Sequence, residues 1–178
     1  MKYVSFNLND HIRKIHDFPV KGVLFYDITS ILTTPAAFQY CIDRMAEIYK
    51  DMEISAIAAI EARGFLFAAP FALQMGIPLI LLRKKGKLPG KTLSKKYSLE
   101  YAEAEIEIQP CDVPKGKKIL LMDDLIATGG TLNASRELIT ECGGIVQEIF
   151  GIVGLPFLNY EEILKPTPVR TLIQYHSE

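Results

Sequence analysis

The residues best suited to do chemistry in this chain lie between positions 119 and 131, in the order Ile-Leu-Leu-Met-Asp-Asp-Leu-Ile-Ala-Thr-Gly-Gly-Thr. An apolar run delivers two adjacent carboxylates, Asp123 and Asp124, and the small residues Ala127, Thr128, Gly129, Gly130 and Thr131 then turn the chain into a helix. Such a turn lets the backbone wind tightly and aim several N–H groups at one spot, where two Thr hydroxyls and the positive end of the helix dipole add attraction for an anion. A phosphate monoester suits it. The upstream acids would repel a phosphate, but they can accept bonds from neighbouring diol hydroxyls or hold a divalent cation. A ribose 5-phosphate meets both demands, and with its 2- and 3-hydroxyls on the acids it brings negative charge near C1, where an oxocarbenium-like centre develops during glycosyl transfer. The patterns GxxxxGK[ST] and GxGxxG are missing and the turn carries no Lys or Arg, so NTPase and dehydrogenase readings lose support.

Cations are concentrated elsewhere. Arg63 follows the end of an apolar run, where it could meet a ligand or pair with Glu61. Between 83 and 96 stand seven basic residues, Arg83, Lys84, Lys85, Lys87, Lys91, Lys95 and Lys96, with two glycines, a proline and no acid. This composition predicts a long exposed loop, and beside a phosphate cradle a ligand-facing one. His11, His16 and His176 show no metal or triad spacing, and Cys41, Cys111 and Cys142 are odd in number and unpaired by CxxC, as reduced thiols packed in a core would be.

These groups need a scaffold, and periodicity suggests one. Leu8, Ile12 and Ile15 are spaced for a short amphipathic helix ending before Phe18 and Pro19. Thr34 as N-cap, Pro35 and the stripe Phe38, Cys41, Ile42, Met45, Ile48 and Tyr49 predict a second helix. Residues 54–60 form an apolar run of the kind buried on both faces of a parallel sheet. A helix over 64–75 should close at Gly76, with Pro70 kinking or splitting it, and 77–82 is the next strand. Residues 97–108 read as a two-stranded excursion, Ile106 and Ile108 facing one way and Glu105 and Glu107 the other. A strand at 118–122, a turn at 123–130, a helix opened by Thr131 and ended by Gly143 and Gly144, and a strand at 145–153 complete the pattern. The alternation predicts an α/β fold with a mainly parallel sheet, whose ligands bind at the C-terminal strand ends, here 61–64 and 123–131.

At 178 residues the chain suits a single domain, 1–178, with one core. Twenty Lys and Arg against 21 Asp and Glu give no global attraction to nucleic acid or membrane. No apolar stretch approaches the roughly 20 residues that span a bilayer, and the first ten residues lack a secretory pattern, so the expected compartment is the cytoplasm.

Residues 119–131 resemble the 5-phosphoribosyl 1-diphosphate (PRPP) binding motif of the type I phosphoribosyltransferases. The likeness extends over most of the chain, through Asp17-Phe-Pro-Val-Lys-Gly-Val-Leu-Phe-Tyr-Asp-Ile-Thr, Ile60-Glu-Ala-Arg-Gly-Phe and Arg83-Lys-Lys-Gly-Lys-Leu-Pro-Gly, which are similar to members acting on adenine. The resemblance implies the family's twisted, mainly parallel sheet flanked by helices, a small hood from about 1–30 and 150–178, and a flexible flap over about 83–108. It implies transfer of the phosphoribosyl group to adenine, giving AMP and pyrophosphate in purine salvage, with Mg²⁺ held mainly through PRPP and a homodimer as the working unit. By residue, it implies Ala127, Thr128, Gly129, Gly130 and Thr131 on the 5-phosphate, and Asp123 and Asp124 on the ribose hydroxyls. Arg63, Arg83, Lys84 and Lys87 would grip pyrophosphate, some of them across the dimer. Phe25 and Leu155 would cover the base, whose edge the main chain of Leu24 and Tyr26 would read. Glu100 and Tyr101 would sit on the flap, Glu100 handling the proton at N7. Gly154 and the stretch from Asn159 depart from the family pattern near the base-covering residue. The alternatives are an enzyme of this type using hypoxanthine, guanine or xanthine, and a non-catalytic PRPP-sensing regulator that binds nucleic acid.

Overall fold

A computed structural model describes residues 6–99 and 102–177. The chain opens with a 3-10 turn, Leu8–His11, followed by a two-stranded antiparallel ribbon of β1 (Arg13–His16) and β2 (Leu24–Asp27). This corrects the expected helix through Ile15. Leu8 and Ile12 are buried as their spacing suggests, but three apolar residues cannot distinguish a continued helix from one turn leading into a strand, and pairing with β2 satisfies the backbone from Arg13 onward.

The rest builds a seven-stranded sheet. After α1 (Thr29–Leu32) and α2 (Pro35–Tyr49) come β3 (Ala56–Ile60), α3 (Arg63–Met75), β4 (Leu79–Lys84), β5 (Leu93–Leu99), β6 (Ala102–Ile108), β7 (Lys118–Ile126), α4 (Gly130–Glu141), β8 (Ile145–Gly154), α5 (Tyr160–Leu164) and β9 (Val169–Gln174). The strand order is β5-β6-β4-β3-β7-β8-β9, parallel from β4 through β9 and antiparallel where β6 joins β4 and β5. The α/β, mainly parallel architecture read from the sequence is the one observed.

Alternation along the central strands explains why they are apolar throughout. Ile57, Ala59, Leu120 and Met122 enter a core shared with α2 and α3, while Ala56, Ala58, Ile60, Ile119 and Leu121 enter a second core with α4 and α5. Helices α3 and α4 therefore leave the neighbouring strands β3 and β7 on opposite faces, which opens a crevice at the C-terminal ends of that pair.

Four expectations change in detail. α3 runs unbroken through Pro70, whose missing N–H would have bonded Leu66, a residue on the exposed face where water can serve its carbonyl. It does end at a left-handed Gly76. The basic segment is only partly a loop, because β4 reaches Lys84 and β5 begins at Leu93. β7 continues past the acid pair to Ile126, held by β8, so the turn shrinks to residues 127–129. Gly129, with φ of 85°, precedes α4 in place of Thr131.

Candidate active site

The crevice between β3 and β7 is a cleft of about 280 Å³ lined by Ile60, Glu61, Ala62, Arg63, Lys84, Tyr97, Ile106, Asp123, Asp124 and Thr131. Each flank arrives for a local reason. Asp123 and Asp124 lie near the C-terminal end of β7, which runs on to Ile126, and α3 begins at Arg63 directly after a cis peptide between Glu61 and Ala62. Gly64 lets that helix start close to β7: a Cβ there would stand 3.1 Å from Asp123 Oδ1 and 3.3 Å from its Cα. Arg63 thus reaches the acid pair, its Nε 2.8 Å from Asp124 Oδ2. That oxygen is buried and accepts no aligned hydrogen bond, so the contact is ionic rather than directional. Asp123 Oδ1 accepts the Asp124 N–H at 2.9 Å. Desolvation and the adjacent Asp124 carboxylate push the Asp123 carboxyl well above the usual carboxylate range, against a smaller opposing pull from Arg63.

The turn beside the acids has the form of an anion cradle. Asn133 N–H is the first of α4 to find a helical acceptor, Gly129 O at 2.9 Å. No protein acceptor among the described residues takes the N–H groups of Gly130, Thr131 and Leu132. Thr128 is exposed and Thr131 lines the cleft. Behind the turn, a Cβ at Gly129 would meet Leu164 Cγ and Tyr160 Cβ at 3.2 Å. The backing by Tyr160 and Leu164 escaped sequence reading, since α5 is a single short turn of helix with no periodicity to flag it.

The basic residues divide. Lys84 lines the cleft. Arg83 does not: its Nε donates to Glu61 Oε2 at 2.7 Å and its Nη1 to the Lys87 carbonyl at 2.9 Å. Lys87 lies outside the lining as well. Glu61, which sequence reading offered as a partner for Arg63, instead holds Arg83 and accepts the Lys84 N–H at 2.6 Å.

The residues assigned to a base sit on the ribbon and after β8. Leu24, Tyr26 and Leu155 join the same core, with Ala127 packed against it, whereas Phe25 points the other way and meets Phe18 edge-on at 5.0 Å. Val23 O accepts the Phe18 N–H at 3.3 Å, so by the alternation of an antiparallel ladder Leu24 and Tyr26 turn their main chain away from β1. None of these four lines the cleft. Asp27 anchors the ribbon's end, accepting Thr29 N–H, Thr29 Oγ1 and Arg13 Nη1 at 3.0, 2.6 and 2.9 Å. Burial alone would raise its carboxyl, but those bonds and the charges of Arg13 and Arg63 outweigh it and hold the group below its ordinary value. Gly154 is required by packing, since a Cβ would stand 2.8 Å from both Tyr160 Oη and Thr171 Cγ2. Glu100 and Tyr101 lie outside the described residues.

Comparison with known proteins agrees with this geometry. Residues 27–149 match the phosphoribosyl transferase domain. The chain is 62% identical over 167 residues to an adenine phosphoribosyltransferase of Treponema denticola, covering 94% of this chain and 88% of that one. Among solved structures, the adenine phosphoribosyltransferase of Thermoanaerobacter pseudethanolicus superposes with a TM-score of 0.90 at 42% identity, covering 95% of this chain and 100% of that one. The Saccharomyces cerevisiae enzyme, solved with adenine and an imino-altritol bisphosphate, gives 0.87 at 35% identity, covering 93% and 96%.

Proposed function

Because the chain belongs to the type I phosphoribosyltransferases, and within them to the adenine phosphoribosyltransferases, we propose how its own residues divide the work of that reaction. The enzyme transfers the 5-phosphoribosyl group of PRPP to adenine, forming AMP and releasing pyrophosphate in purine salvage. The 5-phosphate takes the N–H groups of Gly130 and Thr131 and the cradle formed with Ala127, Thr128 and Gly129. Asp123 and Asp124 receive the ribose hydroxyls, which requires Arg63 to leave Asp124 and turn its guanidinium to the pyrophosphate beside Lys84. Adenine N9 then attacks C1 as the C1–O bond breaks, and these cations stabilise charge growing on the leaving group. Phe25 and Leu155 cover the base, and Glu100 handles the proton at N7. The main chain of Leu24 and Tyr26 reads the purine edge, where a wrong exocyclic group leaves a buried partner unpaired at about 1–3 kcal/mol.

Mg²⁺ fits this site. Asp123 and Asp124 are hard oxygen donors, and one buried Asp124 oxygen lacks an aligned hydrogen bond. Such a pair suits a hard cation that takes most of its ligands from PRPP and water. Bound there, Mg²⁺ would supply positive charge that offsets the negative charge of PRPP.

A homodimer is proposed from α3, whose outward face carries Leu66 and Leu73, 45% and 85% exposed. Arg83 and Lys87, which stay out of their own cleft, are then placed to serve the partner's. The cytoplasm is proposed from the free thiols of Cys41 and Cys142, buried as expected, and of Cys111, which is exposed on a short 3-10 turn instead of packed in the core; among the described residues no helix is long and apolar enough to cross a membrane.

The observation carrying this reading is the meeting of Arg63 and Lys84 with Asp123, Asp124 and the open end of α4 in one crevice. Its test is incubation with PRPP, Mg²⁺ and adenine, hypoxanthine, guanine or xanthine separately. AMP from adenine is expected; failure to form it would refute the reading.

A further inference from the structure

β6 turns its two faces to different tasks. Ile106 and Ile108 are buried in the core with α4, while Glu105, Glu107 and Gln109, every second residue, face the basic turn between β4 and β5. They hold that turn in sequence order. Glu105 accepts Lys85 Nζ at 2.8 Å and Ser94 Oγ at 2.6 Å, Glu107 Oε1 accepts the N–H groups of Lys87 and Leu88 at 2.9 and 2.8 Å, and Gln109 Nε2 donates to Pro89 O at 2.9 Å.

Glu107 is the centre of this arrangement and only 3% exposed. A buried carboxylate is costly unless donors surround it. Here the turn's main-chain N–H groups converge on it as they would on a bound anion. The turn and the strand end that leads into it carry the cations: Lys84, the last residue of β4, lines the cleft, and Lys87 lies on the turn, its carbonyl holding Arg83. Among the described residues no carboxylate pairs with Lys84 or Lys87, whereas Arg83 and Lys85 are neutralised by Glu61 and Glu105.

We propose that Glu107 is a positioning residue for the phosphoribosyl donor: by filling the main-chain nest of the turn, it fixes the backbone of Lys87 and the path of the chain as it leaves Lys84 at the end of β4, and so the positions from which both lysines reach pyrophosphate. The inference rests on the reading of those lysines as pyrophosphate ligands. Its test measures kcat, the KM for PRPP and for adenine, and Tm in the wild type, Glu107→Gln, Thr92→Val and a Lys84→Ala, Lys87→Ala double variant. Burial alone would raise the Glu107 carboxyl, but the N–H groups of the turn and the Thr92 side chain outweigh it and hold the group below its ordinary value. Glu107→Gln should raise the KM for PRPP about five- to tenfold while the adenine KM stays within about twofold, and Thr92→Val should raise it about twofold. A double lysine variant with an unchanged PRPP KM would sink the pyrophosphate reading and this inference with it. Should the lysine variant raise that KM while Glu107→Gln and Thr92→Val leave it unchanged, or move both KM values alike with a lower Tm, the positioning role is overturned and the lysine reading stands. If Glu107→Gln does not fold, Thr92→Val decides.

Discussion

Arg63 and Asp124 pair with each other and, in the proposed reaction, serve different parts of one substrate. Asp124 is 3% exposed while the Arg63 side chain is about half-exposed, so the guanidinium is the member free to swing. Asp124→Asn and Arg63→Ala should each lower kcat by about 10²- to 10³-fold, as removal of one charge-stabilising group does elsewhere. Steady-state kinetics beside thermal melts checks this, and unchanged rates in both would refute their roles. Asp123 makes the opposite trade. Its folded-state pKa is raised above the unfolded value, so the folded form is favoured while the group is protonated and that advantage is lost as pH rises through the folded pKa. Asp123→Asn keeps the oxygen that accepts the Asp124 N–H and removes the charge. It should therefore raise Tm at neutral pH while lowering turnover, with the Tm gain fading as pH falls toward 3.8. A gain that persists at low pH would contradict this assignment. Residue types were legible here because acids, small residues and an Arg stand at fixed places after apolar runs. Their pairing was not: sequence proximity offered Glu61 as one possible partner for Arg63, whereas the structure gives Glu61 to Arg83 and Asp124 to Arg63.

At the scale of elements, the cradle depends on a left-handed residue with no room for a side chain. Gly129 has φ of 85° and faces Tyr160 and Leu164, so Gly129→Ala should cost about 1–2 kcal/mol from backbone conformation alone. The contact with α5 adds to that. Chemical denaturation should show the loss, and the KM for PRPP should rise because the N–H groups of α4 shift; a variant as stable as the wild type would remove α5 as the backing of the cradle. Element boundaries show where pattern reading fails. Thr131 looked like an N-cap because its side chain can serve as one, but the turn needs a positive φ two residues earlier, a position that favours glycine. The Leu8, Ile12 and Ile15 spacing suited a helix until strand pairing competed for the same backbone. Glu105 and Glu107 were legible as one face of a strand, yet nothing local said that this face meets the basic turn.

For the whole molecule, placing a ligand crevice requires two neighbouring strands whose helices depart on opposite faces, and β3 and β7 are that pair. The face of α3 beyond the core leaves Leu73 largely in solvent, as a second copy would require. If the proposed homodimer docks through this face, Leu73→Glu should shift the sedimentation velocity from dimer to monomer, since a charge buried in an apolar contact is strongly disfavoured. A wild-type protein that sediments as a monomer would remove the dimer from the reading.

By itself the sequence determined the local inventory: apolar runs long enough for two-sided burial, a glycine-containing turn able to bind a phosphate, an acid pair before it and a reservoir of cations. These are legible because strand period, turn conformation and side-chain charge are properties of a few adjacent residues. Only the tertiary structure decided the strand order, the neighbours β3 and β7, the backing of Gly129 by Tyr160 and the burial of Glu107 among main-chain donors. Those features join residues tens of positions apart, and their selection depends on how both faces of the sheet are covered at once.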